Sequence, residues 1–329
     1  MRDLRHIRKG AGALVATGTL LGLALQTAPA SADSGGGAPG SAGAKKAAQE
    51  SFSNSWTAER MRNATSLDLL DVGSDAVRST GKAVPRGEEL KIPPLGPDSG
   101  KKSAAEGGGP WQGGGDVVQT SGRVFFKFGG RDASCSGNAV TSDNASTVMT
   151  AGHCVKMEGK WHTDWTFVPG YHDGQAPHGK WAADKTLTTP QWDAGEDLNY
   201  DVGAAVVKPR DGKRLTDVVG GQGLSFNSGY NETMYAFGFP AADPYDGEKL
   251  TYCSGTAYRD LLLTNDYGLA CDMTGGASGG PWFTEFDEAS GTGLQASVNS
   301  FKYNFQPNAM YGPRFGADAQ KLYENAQAG

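Results

Sequence analysis

"TAGHC" at 150–154 and "TGGASGGPW" at 274–282 are the two stretches that decide how this 329-residue chain is read. The first sets a histidine beside a cysteine at the end of an apolar run. The second surrounds one serine, Ser278, with glycines. A serine hydroxyl is a weak nucleophile and needs a neighbouring base that a third group orients. It also needs backbone N–H donors aimed at a developing oxyanion, which a tight glycine-rich turn supplies. "GGASGG" has that form, with Ser278 as candidate nucleophile and the N–H groups of Gly276 and Ser278 as candidate donors.

The same stretch satisfies Gly-x-Ser-x-Gly, the nucleophile elbow of α/β-hydrolases, so an esterase has to be weighed. In that fold the histidine follows the serine. The five histidines are His6, His153, His162, His172 and His178, and none follows Ser278. Chain order removes the esterase. His6 falls in the leader described below, and His162, His172 and His178 lie in a loop-like stretch and read as exposed or structural. His153 is left as the candidate base. "LNYDVGAAVV" places Asp201 directly before an apolar run, 48 residues after His153 and 77 before Ser278, which suits the orienting acid. Asp193 and Asp197 are the competing aspartates, and neither leads into a strand.

From Asp116 onward, short runs such as "GRVFFKF", "TVMTAG", "TDWTFVPGY", "DVGAAVV", "TMYAFGF", "LTYCSGTAY" and "GLQASVNSF" are rich in β-formers and separated by Gly, Asn, Asp and Pro. Such spacing predicts an all-β sandwich or barrel. The first strand is expected near Val117, and only "GADAQKLYENAQ" at the end has a helical pattern. Residues 33–115 differ in texture. They are rich in Gly, Pro, Ser and charge, and suit a flexible propeptide or linker. Within them "NSWTAERMRNATSLDLLDV" predicts one helix over about 55–72, capped by Ser55 or Thr57, with Met61, Ala64, Leu67 and Leu70 on one face.

The first 32 residues read as a secretory signal peptide. Arg2, Arg5, Arg8 and Lys9 precede an apolar stretch to about Leu25, followed by Ala28-Pro29-Ala30 and Ala30-Ser31-Ala32. A membrane anchor is disfavoured because the run is short and ends in a cleavable sequence. Export suits the four cysteines, which fall as Cys135/Cys154 and Cys253/Cys271. Three connectivities are possible, and local pairing is the simplest; each local loop would contribute roughly 3 kcal/mol. A zinc site lacks the usual Cys-x-x-Cys or His-x-x-x-His spacing. The formal charge of −6 carries no basic block that suggests a nucleic-acid partner.

The order His, Asp, Ser is that of the chymotrypsin-type barrels. "GRVFF", "SCSGNAV", "TAGHC", "FVPGY", "YDVGAAVV", "FGFP" and "TGGASGGPW" resemble the secreted bacterial trypsin-like serine peptidases of streptomycete type, near the glutamyl-endopeptidase-like branch. The resemblance implies two packed six-stranded β-barrels with a C-terminal helix, the triad His153, Asp201 and Ser278, and a Cys135–Cys154 bridge. It implies a secreted, monomeric serine endopeptidase acting on protein or peptide substrates, without metal or cofactor and without membrane attachment once the leader is gone. An inactive protease-like binding protein is the alternative, although all three triad candidates are present.

Two departures bear on activation and specificity. Trypsin-type zymogens place an aspartate before the nucleophile to pair with a new N-terminus, and Ala277 stands there instead. Maturation is therefore expected by cleavage between Gly81 and Asp116. Asp272 lies where the family carries its pocket aspartate, which would favour Lys or Arg at the cleaved bond. The substrate-binding strand corresponds to Ser300-Phe301-Lys302, where Lys302 replaces a small residue. The histidine that glutamyl endopeptidases use in this region has no counterpart.

Overall fold

The computed structural model describes residues 55–73, 84–85, 87–95 and 108–329. The expected signal peptide over residues 1–32 lies outside them. The first half of the body is a closed six-stranded β-barrel. Its ring runs Arg131–Ala139, Ser121–Phe128, Thr163–Pro169, Trp181–Thr188, Gly203–Val207 and Thr147–Thr150. It closes where Asn138 and Ala139 pair with Met149 and Val148. The ring is closed over only those two residues, so the earlier part of Arg131–Ala139 keeps an open edge. The period-2 alternation of a strand explains "VFF": Val124 and Phe126 point into the barrel core, while Phe125 points outward. The outward Phe125 is nonetheless fully buried, because Trp56, Met61 and Tyr171 cover it.

The second half carries two hydrogen-bonded sheets. One contains Gly223–Phe226, Thr292–Val298, Pro281–Asp287, Thr233–Gly238 and Thr251–Thr256; the other contains Tyr267–Ala270, Ala309–Gly312 and Phe301–Tyr303. The Cys253–Cys271 disulfide joins the two sheets where the ladder between them is interrupted. This arrangement, with the closed first barrel and the helix Ala317–Gln327, is the chymotrypsin fold. The helix buries Ala319, Leu322, Tyr323 and Ala326 at helical spacing against the first barrel's core.

Three local expectations are corrected. The chain from Val117 to Thr120 is a short helical turn, and the first barrel strand starts at Ser121. Residues before Asp116 also join the fold, since Leu90–Ile92 pairs with Gly223–Phe226 and Gly109–Pro110 pairs with Thr251–Thr256. The helix expected over 55–72 spans only Ala58–Asn63, capped by the Thr57 side chain. Beyond it, residues 65–72 run as an extended strap. Thr65–Ser66 pairs in parallel with Arg131–Ala139, and Leu70–Val72 pairs in parallel with Phe301–Tyr303. Helical propensity is a weak prior, and two sheet edges offering unpaired backbone groups outweigh it here.

Candidate active site

His153 sits on a 3-10 turn, Gly152–Cys154, at the end of the strand Thr147–Thr150. Asp201 ends the turn Leu198–Tyr200 and leads into Gly203–Val207. Those two strands are ladder partners, with Gly203 opposite Thr150, so both residues emerge at one rim of the barrel. Asp201 Oδ1 accepts the His153 backbone N–H at 2.7 Å, and Oδ2 lies 2.7 Å from His153 Nδ1. Ser300 Oγ donates to the same Oδ2 at 2.6 Å. All three residues are fully buried. An ionised carboxylate only accepts, so the imidazole proton belongs on Nδ1 and the bare lone pair on Nε2. Nε2 has no hydrogen-bond partner. Glycine is needed at 152, because a Cβ there would come within 2.9 Å of Asp201 Oδ1 and 2.7 Å of the Trp192 ring.

Ser278 lies on a loop whose carbonyls are individually held. Ala241 N–H donates to Gly275 O at 2.7 Å, Ser136 Oγ to Gly276 O at 2.8 Å, and Asn299 Nδ2 to Ala277 O at 2.7 Å. Ser136 N–H donates to Ser278 O at 2.7 Å. A trans peptide sets its N–H opposite its C=O. Fixing the carbonyls of residues 275 and 277 therefore aims the N–H groups of Gly276 and Ser278 away from the protein scaffold that holds them. Gly276 (φ 92°) and Gly279 (φ 78°) occupy backbone conformations that suit glycine, and a Cβ on Gly276 would meet Phe239 O at 2.7 Å. Asn299 also receives Gly279 N–H on its carbonyl at 2.8 Å and the Trp282 indole N–H on its side chain at 2.5 Å.

The two halves meet through these same residues. Ser136 follows Cys135, whose disulfide partner Cys154 follows His153, and Thr150 Oγ1 donates to Ser136 O at 2.8 Å. Ser300, next to the brace Asn299, reaches Asp201 from the other side. Ser278 Oγ is fully buried and has no hydrogen-bond partner. Ser136, Thr150 and Asn299 were not singled out from the sequence. Their types are common, and only the fold reveals which carbonyls they hold.

The remaining expected site residues are placed as follows. Ser300 faces Asp201. Lys302 Nζ donates to Cys271 O at 2.9 Å and to Pro307 O at 2.6 Å. Burial brings its amine down to about 8, against the opposing pull of Asp272. Asp272 is exposed and accepts the Tyr245 hydroxyl at 2.9 Å. His162 is buried, stacks on Phe126 at 4.3 Å and lies 2.8 Å from His153 O through Nε2. His172 is exposed and His178 half-buried. Asp193 pairs with Lys156 at 2.5 Å, and Asp197 caps the turn that leads to Asp201. Among the described residues, Cys135, His153 and Cys154 group closely enough to ligate a metal. The two sulfurs are bonded to each other at 2.07 Å, however, and offer no thiolate.

No protein-family model matches the chain. The "Extracellular metalloprotease" of Bacillus subtilis (strain 168) is 29% identical over 168 residues, 44% of this chain and 52% of that protein. The chain thus spans about half the length of the curated relative it matches. Among solved structures, a Glu endopeptidase superposes with a TM-score of 0.55 over 68% of this chain and 98% of its own, at 17% identity, a likeness of fold alone. The thermostable serine protease AL20 from an extremophilic microorganism matches at 38% identity and a TM-score of 0.61, over 65% of this chain and 99% of its own. Protease Anisep from Arthrobacter nicotinovorans gives 43% identity and a TM-score of 0.61, over 65% of this chain and 98% of its own. With that identity over nearly the whole of a solved relative, the chain belongs to the bacterial trypsin-like serine proteases.

Proposed function

We propose that the chain is a secreted serine endopeptidase that hydrolyses peptide bonds in protein or peptide substrates through an acyl-enzyme. Ser278 Oγ attacks the substrate carbonyl carbon while His153 Nε2 takes its proton. The oxyanion is met by the N–H groups of Gly276 and Ser278. Collapse of the intermediate breaks the C–N bond, and His153 returns the proton to the leaving amine. Water then repeats the sequence and frees the acid. Asp201 holds the imidazole in the tautomer this requires and stabilises the imidazolium formed on the way.

The observation that carries this reading is the hydrogen-bonded set on Asp201: His153 N–H, His153 Nδ1 and Ser300 Oγ on one buried carboxylate. Catalytic hydrogen bonds to the nucleophile commonly form only in the substrate complex. Replacement of Ser278 by Ala is expected to leave the fold intact and lower hydrolysis by about 10⁴ or more. Near-normal turnover in that variant would remove the assignment, and an inactive binding protein would then be the better reading.

Specificity at the cleaved bond is assigned to the Asp272 and Lys302 region, with a preference for a basic residue through Asp272. Maturation is proposed to occur by cleavage between Gly81 and Asp116. Trp111 packs on Phe237 and Tyr252, and Val117 is fully buried. The two disulfides suit an oxidising, extracellular setting, and among the described residues no helix is long and apolar enough to cross a membrane.

A further inference from the structure

Residues 65–72 lie on the groups that the proposed reaction needs. The Leu67 carbonyl accepts the Gly276 N–H at 2.9 Å, which is the first of the two oxyanion donors. Leu67 N–H donates to Ser134 O at 2.8 Å on one side of the site. On the other side, Leu70 N–H donates to Ser300 O at 3.1 Å, and Leu70–Val72 adds a parallel strand to Phe301–Tyr303. Between these contacts, the Leu69 side chain is buried in the apolar cluster that holds Cys271, Met273, Ala277 and Met310. The strap thus spans both halves of the fold, and His153 and Ser278 have no exposed surface.

We propose that residues 65–72 are a built-in inhibitor: a strap that fills the catalytic cleft, caps the Gly276 N–H with the Leu67 carbonyl and keeps the chain inactive until it is released. The inference rests on the catalytic reading of Ser278 given above. Two features explain why the strap blocks without being cut. Leu67 O takes only one of the two oxyanion donors, so the carbonyl is not seated for attack. The strap is also anchored upstream, outside the cleft. Trp56 and Met61 are buried against Phe125 and Tyr171, and Arg60 pairs with Asp132 at 2.7 Å and Asp164 at 3.3 Å. This tether holds the strap at a high effective concentration over the site. A cleft of about 310 Å³ lies beside the strap, lined by Leu67, Leu69, Phe128, Arg131, Asp132 and Met157 among others.

The test compares the intact chain, Leu70→Pro, Arg60→Ala and the chain nicked after residue 73 by limited proteolysis and then freed of its N-terminal peptide. A fluorophosphonate probe reads access to Ser278, and amide exchange at Gly276 and residues 70–72 reads docking independently of chemistry. Leu70→Pro removes the donor to Ser300 O, and Arg60→Ala removes the anchor, so each is expected to label about tenfold faster than the intact chain or more. Exchange at Gly276 should quicken in parallel, and added peptide 55–73 should slow labelling of the freed chain. An intact chain that labels as fast as the freed chain, or that leaves residues 70–72 unprotected, overturns the strap. A freed chain whose Ser278 exchanges freely yet never labels overturns the catalytic reading on which the strap's role rests.

Discussion

Replacing Asp201 by Asn tests the site with little change of shape. The carboxylate accepts three hydrogen bonds in a fully buried place, two of them on Oδ2. An amide that keeps its oxygen on the His153 backbone N–H must turn its NH2 towards His153 Nδ1 and Ser300 Oγ. An NH2 group only donates, so Nδ1 has to give up its proton and Nε2 has to carry it. The Ser300 hydroxyl can rotate and accept, which keeps all three contacts of residue 201 hydrogen-bonded. The stability cost should therefore be small, about 1 kcal/mol. The catalytic cost should be large, because a protonated Nε2 cannot take the Ser278 proton. In the serine–histidine–aspartate template this substitution lowers kcat by about 10⁴, which corresponds to ~5.5 kcal/mol of transition-state stabilisation. The assay is kcat on a chromogenic peptide with the strap-free enzyme, alongside a thermal melt of the same preparation. A variant that melts normally and retains kcat within tenfold of the parent would refute the reasoning.

The brace on the nucleophile loop and the buried histidine each give a further test. Asn299→Leu frees Ala277 O and with it the aim of the Ser278 N–H; kcat is expected to fall by about 10²–10³, with KM changed far less, and equal effects on both would argue against a positioning role. Burial holds His162 down to about 4 from an ordinary 6.5, so the unfolded chain binds the extra proton first as pH falls. Its share of stability is complete above pH 6.5 and is lost between there and about pH 4, on the order of 3 kcal/mol at most. Denaturant melts of His162→Gln should show a shallower acid limb across that window, and an unchanged limb would contradict the assignment.

Much of the site was legible because the motifs are short and locally stiff. "TAGHC" is one turn after one strand, and "GGASGG" is one glycine-dependent loop, so tertiary context alters neither. Chain order then left few alternatives for the acid. Asn299 and Ser136 were not legible, since each acts on carbonyls more than 20 residues away or across the two halves, and no spacing rule reports such a contact. The strand Trp181–Thr188 was also missed. Asp184 and Lys185 weaken its pattern, and it owes its extended form to strand neighbours on both sides. The strap's sequence suggests a helix for the opposite reason. Met61, Ala64, Leu67 and Leu70 repeat at helical spacing, but Leu69, off that face, is the side chain buried in the cluster beside the nucleophile loop.

The most direct measurement of the central claim is the site of covalent labelling by a fluorophosphonate in the strap-free enzyme, mapped by peptide mass spectrometry. A single adduct on Ser278 that disappears in Ser278→Ala and is slowed by at least about 10³ in His153→Ala is the result predicted. Labelling at another residue, or an adduct on Ser278 that forms equally fast without His153, would contradict it.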